Sequence, residues 1–415
     1  MVVCAPAAAG ALQASRVPAG ADNAGRAEQP GVPGGQVTGD AGDAEDQHRA
    51  ERAGLGLAGG QRKPGGHARD AGFGLGSVAA GSSLARELGL GTSDGTLALS
   101  AFGSFTVGGR RVEITGRPAE IVRLSRDLPD YVADPNGAYS VGHAYVQYFI
   151  PAAARGLPVV FVHGGGLTGV CWEGTPDGRS GWLQYFLRRG QPSYVVDNVE
   201  RGRAGWCPVP GIAEDSAPLL RTEQEAWDVF RIGPPDGYPG RIPYQGALFP
   251  CDHLAELNRQ QVPRWVTTTE LSAAAVAELI RKVGPCVVIA HSQGGGIAAS
   301  AAVETADLVH ALVLVEPHGL PEAASFGPSA GCQLIVAGDF IDFSPLYRGL
   351  RARWHAYLDE LRELGWTADY LDLPAAGHPG NSHLLMMDGN SDDVAALIAS
   401  WLEPVTATRS AKKGS

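Results

Sequence analysis

Six short apolar runs, separated by stretches of helical periodicity, constrain this chain more than any other feature. They are LPVVFVHGGG (157–166), SYVVDNV (193–199), CVVIAHS (286–292), ALVLVEP (311–317), QLIVAGD (333–339) and DYLDLPA (369–375). A strand that is apolar on both sides must be covered on both sides, as in a parallel sheet between two helix layers. The intervening segments supply such helices. Over 270–283, Val276, Leu279, Ile280 and Val283 recur at helical spacing, with Thr269 as N-cap and Gly284-Pro285 as the stop. Near the C-terminus, Val394, Leu397, Ile398, Trp401 and Leu402 share one face, preceded by Asn390-Ser391 as caps. The expectation is an α/β fold: a mainly parallel central sheet with helices on both faces. Two strands precede it: TLALSAFGSFTVGGRRVEITG (96–116) reads as a hairpin turning at Gly108-Gly109, and HAYVQYFIP (143–151) as a further strand.

Two regions break the pattern. Residues 1–95 form a low-complexity extension. Its first 85 residues, dominated by Ala and Gly, contain no Ile, Tyr or Trp and only one Phe, Phe73. Such a segment buries too little apolar surface to offset its ordering entropy and is expected to be disordered. The folded domain then spans 96–405, with a flexible tail at 406–415. Within the domain, 207–265 is rich in Pro, Gly and aromatic residues and too long for an ordinary connection, so it reads as a cap inserted over the strand ends.

Charge and cysteine usage narrow the function. The net charge is -11 and no clustered Lys/Arg run appears beyond the short cationic stretch Arg409 to Lys413, read as a solvated end, which disfavours a nucleic-acid partner. Six scattered cysteines form no CxxC pair, so no metal site is expected, although Cys207 and Cys251 would be able to pair in an exported protein. No stretch has the length and apolarity of a membrane span. MVVCAPAAAGALQA lacks a basic leader region, which makes the cytoplasm the default compartment and export the alternative.

The sharpest local motif is Ala290-His291-Ser292-Gln293-Gly294-Gly295-Gly296, between the strand CVVIA and the small-residue segment IAASAAV. A Ser on a tight strand-to-helix turn flanked by small residues is the context of a nucleophile elbow, with Ala290 replacing the first Gly of G-x-S-x-G. A Ser hydroxyl needs a base, and a His late in the chain is expected. His378 and His383 both qualify by position. For the orienting carboxylate, Asp339 and Glu316 both end apolar strands, and spacing does not choose between them. His163-Gly164-Gly165-Gly166 follows a strand and offers backbone N–H groups for an oxyanion, which we assign to Gly165 and Gln293. The same loop matches the dinucleotide pattern at Gly164, Gly166 and Gly169. No helix is expected to open on it, so no cofactor is expected.

Several collinear segments over about 97–404 resemble one subgroup of the α/β-hydrolases, the bacterial esterase 713 family. They are VVFVHGGGLTGVCWEGTPDGRSGWLQYFLRRGQPSYVVDNVERGRAGW, AHSQGG, LVEP, VAGDFID and GNSHLLMMDGNSDDVAALIASWL. The resemblance implies an α/β-hydrolase fold and a serine esterase with Ser292 as nucleophile, His383 as base and Glu316 as acid. His378 and Asp339 are then bystanders. Where the family's typical member carries two adjacent, mutually linked cysteines in the oxyanion loop, this chain has Gly165 and Gly166. That typical member is exported. The expected partner is a small apolar ester, received by an apolar pocket under the aromatic cap, with Trp172 and Trp206 nearby in sequence, and self-association to a homodimer is left open. A thioesterase, amidase or lactonase with the same residues, or a non-catalytic binding protein of this fold, are the alternatives.

Overall fold

The computed structural model describes residues 96–207, 218–327 and 331–412. The expected N-terminal extension (1–95, with Cys4 and Phe73) lies outside the described residues, as do 208–217 of the insertion and 413–415 of the tail.

Among the described residues the strands are β1 (Leu99–Ile114), β2 (Glu120–Val122), β3 (Tyr131–Ala133), β4 (Gly137–Pro151), β5 (Val159–Val162), β6 (Ser193–Asp197), β7 (Cys286–His291), β8 (Val309–Val315), β9 (Cys332–Ala337) and β10 (Thr367–Asp372). Eight of them form one sheet in the order β1-β4-β6-β5-β7-β8-β9-β10, and β2 and β3 pair separately. From β6 to β10 every pairing is parallel, while β4 runs antiparallel to β1 and β6. The expected α/β-hydrolase architecture is therefore present. The helices are α1 (Val170–Glu173), α2 (Trp182–Arg188), α3 (Glu223–Val229), α4 (Leu254–Gln260), α5 (Thr269–Val283), α6 (Gln293–Glu304), α7 (Pro345–Glu363) and α8 (Ser391–Lys412).

The apolar runs are explained by two cores, one on each face. The first packs Val288, Leu312 and Ile335 of the sheet against Val276 and Ile280 of α5, Ala298 of α6 and Leu358 of α7. The second packs Val287, Val313 and Leu334 against Phe186 of α2 and Val394 and Ile398 of α8. Alternate side chains of one strand thus enter opposite cores, which is why β5, β7 and β8 tolerate no polar alternation. α8 continues to Lys412, so the part of the expected tail from 406 to 412 is helical.

Gly108-Gly109 is not a turn. β1 runs through both residues in unbroken register with β4, Gly108 opposite His143 and Arg110 opposite Val141. Their positive φ angles, 68° and 90°, serve a close approach instead. A Cβ on Gly108 would lie 2.9 Å from the Cβ of Ala275 in α5. A local turn rule reads the two glycines and cannot see a helix so far downstream.

The chain winds leftward from β5 to β6, then returns to place β7 on the other side of β5. The carboxyl ends of β5 and β7 therefore flank the point where winding reverses, the place in open α/β sheets where a crevice forms. The glycine loop follows β5 and Ser292 follows β7.

Candidate active site

Ser292 sits between β7 and α6 with φ 55° and ψ -122°, a left-handed conformation that L residues avoid. It is held there by close packing behind it. A Cβ on Gly294 would meet the His163 carbonyl oxygen at 2.3 Å, one on Gly295 would meet the Pro317 Cβ at 2.5 Å, and one on Gly296 the Gly319 carbonyl oxygen at 2.4 Å. The glycine run after Ser292 thus lets α6 lie against the ends of β5 and β8. Gly294→Ala meets rigid backbone, and we expect a loss near the upper end of the ~1–3 kcal/mol typical of overpacking; urea unfolding that leaves stability unchanged would refute this account of the glycines.

His383 and Glu316 complete a buried line with Ser292. The Ser292 Oγ stands 3.0 Å from His383 Nε2, and His383 Nδ1 stands 2.5 Å from Glu316 Oε2. With Nδ1–H donating to the carboxylate, Nε2 is left to accept the Ser hydroxyl proton. Burial lowers the His383 imidazole below its ordinary 6.5, the Glu316 hydrogen bond opposing it. The ring is further fixed by stacking on Phe230, and the main-chain N–H of His383 donates to the Phe230 carbonyl at 2.8 Å. His291 supports the same backbone: its Nε2–H donates to the His383 carbonyl at 2.9 Å, and burial keeps this imidazole far below 6.5 and so neutral.

Glu316 is fully buried at the end of β8 with a positive φ of 44°. Burial alone would push its carboxyl up. Against that stand Arg231, bidentate at 2.7 and 2.5 Å, the His383 bond, and the Gly338 N–H at 2.7 Å. These hold it down at about 2. Arg231 is equally buried, its guanidinium over the Tyr347 ring, and its Nε–H donates to the Asp339 carbonyl. Reading the sequence did not single it out: an Arg inside a Pro/Gly-rich insertion, 85 residues before its partner, carries no local signal.

The other two sequence candidates lie elsewhere. Asp339 spends its carboxylate on backbone, accepting from the N–H of Phe340 at 2.7 Å and of Gly380 at 2.8 Å. It pins the loop that carries His383. His378 is half-buried, bonded through its own N–H to the Leu373 carbonyl, and does not line the cavity at Ser292.

Gly165 lies beside this site, where a Cβ would come within 2.7 Å of the Gln293 Oε1. Its loop is anchored by His163, whose Nδ1–H donates to the Gly164 carbonyl while Nε2 accepts from the Asn198 N–H. Contrary to expectation, a helix does open on this loop, the single turn α1. Its cap, Gly169, donates its N–H to Asp197 Oδ1 at 2.7 Å. A carboxylate already stands where a phosphate would have to sit. Residue spacing cannot reveal a one-turn helix, nor the Asp that closes it.

A cavity of about 780 Å³ opens over Ser292 and His383. The insertion contributes Arg221, Phe230 and Arg264 to its wall, and α7 contributes Tyr347, Leu350 and Trp354. Trp172 and Trp206 are not part of it. Trp172 is core, packed on Phe161 and Trp182, and Trp206 is an exposed ring against Trp265. Cys207 and Cys251 are free thiols rather than a pair.

Comparisons with known proteins find similar chains. The structure of a bacterial esterase is similar at 36% identity and a TM-score of 0.67, covering 76% of this chain and 99% of that one. The probable secreted lipase phiG of Fungal sp. (strain ATCC 74256) is 25% identical over 322 residues, 64% of this chain and 87% of that protein. No protein-family model matches the chain.

Proposed function

The chain belongs to the esterase-like family of the α/β-hydrolase superfamily and is a carboxylic ester hydrolase; from that premise we propose that it works through an acyl-enzyme on Ser292, with His383 as base and Glu316 as orienting acid. The observation that carries this reading is the unbroken buried line from Ser292 Oγ through His383 to Glu316.

In the first half-reaction His383 Nε2 takes the Ser292 proton as Oγ attacks the ester carbonyl. The tetrahedral oxygen develops its charge beside the N–H groups of Gly165 and Gln293, the latter at the N-terminus of α6, whose dipole favours an anion. His383 then returns the proton to the departing alcohol. In the second half-reaction a water gives its proton to the same imidazole and attacks the acyl carbonyl, and the acid leaves as Oγ regains the proton. Glu316 stays ionised throughout and stabilises the imidazolium. Arg231 is a positioning residue: it touches neither Ser292 nor the cavity contents and acts through Glu316.

Fluorophosphonate labelling followed by peptide mapping tests the nucleophile, and the label is expected on Ser292 alone. The acid is tested by a pair of variants. Glu316→Gln should lower kcat on a p-nitrophenyl ester by roughly 10³–10⁴, as loss of the orienting charge does in other serine hydrolases. Asp339→Asn should act mainly on stability, since one acceptor oxygen remains for the loop. A larger kcat loss from Asp339→Asn would overturn the assignment of the acid.

A further inference from the structure

Two cations, Arg221 and Arg264, face the cavity beside Ser292; Arg353, Glu225, Glu322 and Glu360 line it as well, and among the described residues only Glu225 bonds to either of the two side chains. Arg264 reaches the oxyanion loop itself: its Nη1 lies 2.9 Å from where a Cβ on Gly165 would be. Its backbone is built into that position. The Val262 N–H donates to the Gly166 carbonyl at 2.9 Å, and Arg264 exchanges both backbone bonds with Leu219, at 2.8 and 2.9 Å. That short bridge sets Arg221, two residues on, beside Arg264. The Arg221 side chain is only 8% exposed and its guanidinium lies over Phe230, the ring that stacks on His383.

The neighbouring negative charges do not neutralise this pair. Glu225 bonds Arg221 Nε at 3.1 Å, leaving the guanidinium ends unspent, and its own side chain is 46% exposed. Glu322 and Glu360 also line the cavity, both on exposed positions. Among the described residues, Arg264 makes no side-chain hydrogen bond or ion pair. Burial and then the charge of Arg221 lower its affinity for its proton, the signature of two cations sharing a partly dry space. His318, on the same wall, is held at about 4 by burial and by the surrounding cations, so it adds no charge at neutral pH.

We infer that the substrate is an ester carrying a carboxylate, which Arg264 and Arg221 bind at the oxyanion end of the cavity while Ser292 attacks the ester carbonyl. The inference rests on the catalytic reading above and replaces the apolar ester expected from the sequence. The guanidinium fork matches a carboxylate in two hydrogen bonds, and in a half-buried wall such charge-assisted bonds are strong. A neutral acyl chain of equal length leaves Arg264 without a partner beside Arg221, whose guanidinium ends also stay unused. Discrimination against it is expected because sites built for a polar group reject the analogue lacking it.

The test compares monomethyl glutarate with its near-isostere methyl hexanoate. In the wild type, kcat/KM should favour the charged ester by roughly 10- to 100-fold, mostly through KM. In Arg264→Gln the ratio of the two should fall to within about threefold of unity. Partial misfolding lowers both values and leaves their ratio untouched. Arg264→Lys should keep part of the preference, since it keeps the charge without the fork. A wild-type ratio at or below unity, or a ratio unchanged in Arg264→Gln, overturns the inference. A second arm does not depend on turnover: calorimetry of monomethyl glutarate with Ser292→Ala, with and without Arg264→Gln. Binding at least about tenfold weaker in the double variant supports the inference, and equal binding overturns it. Failure of the catalytic reading would show separately, as a wild type that neither takes the fluorophosphonate label nor hydrolyses p-nitrophenyl acetate.

Discussion

Ser292→Ala should lower kcat on p-nitrophenyl butyrate by about 10⁴- to 10⁶-fold while leaving the protein folded. The size follows from what remains. The N–H groups of Gly165 and Gln293 still polarise the carbonyl, but no covalent path is open, and water must attack directly. The fold should survive because the substitution removes one oxygen and keeps the Cβ. The left-handed backbone at this position, φ 55°, strains Ala and Ser alike. The glycines that hold the bend are untouched. Unfolding by urea should therefore shift by less than about 1 kcal/mol. Turnover retained at more than about one part in a hundred would remove Ser292 from the role of nucleophile.

Arg231→Met should cost about 3–5 kcal/mol of stability and change the pH profile of whatever enzyme remains. The stability loss arises because Met fills much of the space but leaves a buried carboxylate with its strongest partner gone. The pH effect has a definite sign. The base must be neutral to act, so kcat/KM of the wild type should fall as pH drops through the His383 value, which burial places below 6.5. Arg231 depresses both members of the pair: it holds Glu316 at about 2 and also disfavours the His383 cation. Without it both rise, and the acid limb should move up by at least about one pH unit. Stability follows the same linkage. The depressed Glu316 contributes stability above its unfolded value of 4.5 that is lost as pH falls toward 2, and the variant should lack most of that window. An unchanged acid limb in a folded Arg231→Met protein would show that the guanidinium does not tune the pair.

Sequence reasoning succeeded where the signal is local. Continuous apolar runs such as CVVIA and ALVLV identify buried strands because each side chain must find an apolar neighbour on its own face. The elbow is legible because Ser292, separated by Gln293 from three glycines, follows a buried apolar strand and opens a small-residue segment. Reading failed where the cause is distant. Gly108-Gly109 satisfies a turn rule, yet Gly108 is there for Ala275 and Gly109 for His143 and Val141 of the paired strand. Trp172 lies near the cap in sequence and is expected near the pocket, but α1 turns it into the core between Phe161 and Trp182. Spacing left Glu316 and Asp339 equal, since both end apolar strands. What separates them in space is the His383 imidazole, which meets the Glu316 carboxylate, itself held by Arg231 from a distant segment that no window of sequence displays. Arg221 and Arg264 escaped notice for the same reason: a two-residue bridge joins segments that are 45 apart in the chain (264 less 219).

The excursion between β6 and β7 is more than a roof. Through Arg231 it delivers the counter-charge to Glu316, and through Phe230 it grips both the ring and the backbone of His383. In other words, the module an engineer would exchange to alter substrate scope is also a wall of the proposed proton-transfer machinery. Swapping it wholesale would strip the chemistry along with the selectivity, so redesign here has to proceed by single positions on the inner surface, with 230 and 231 left as they are.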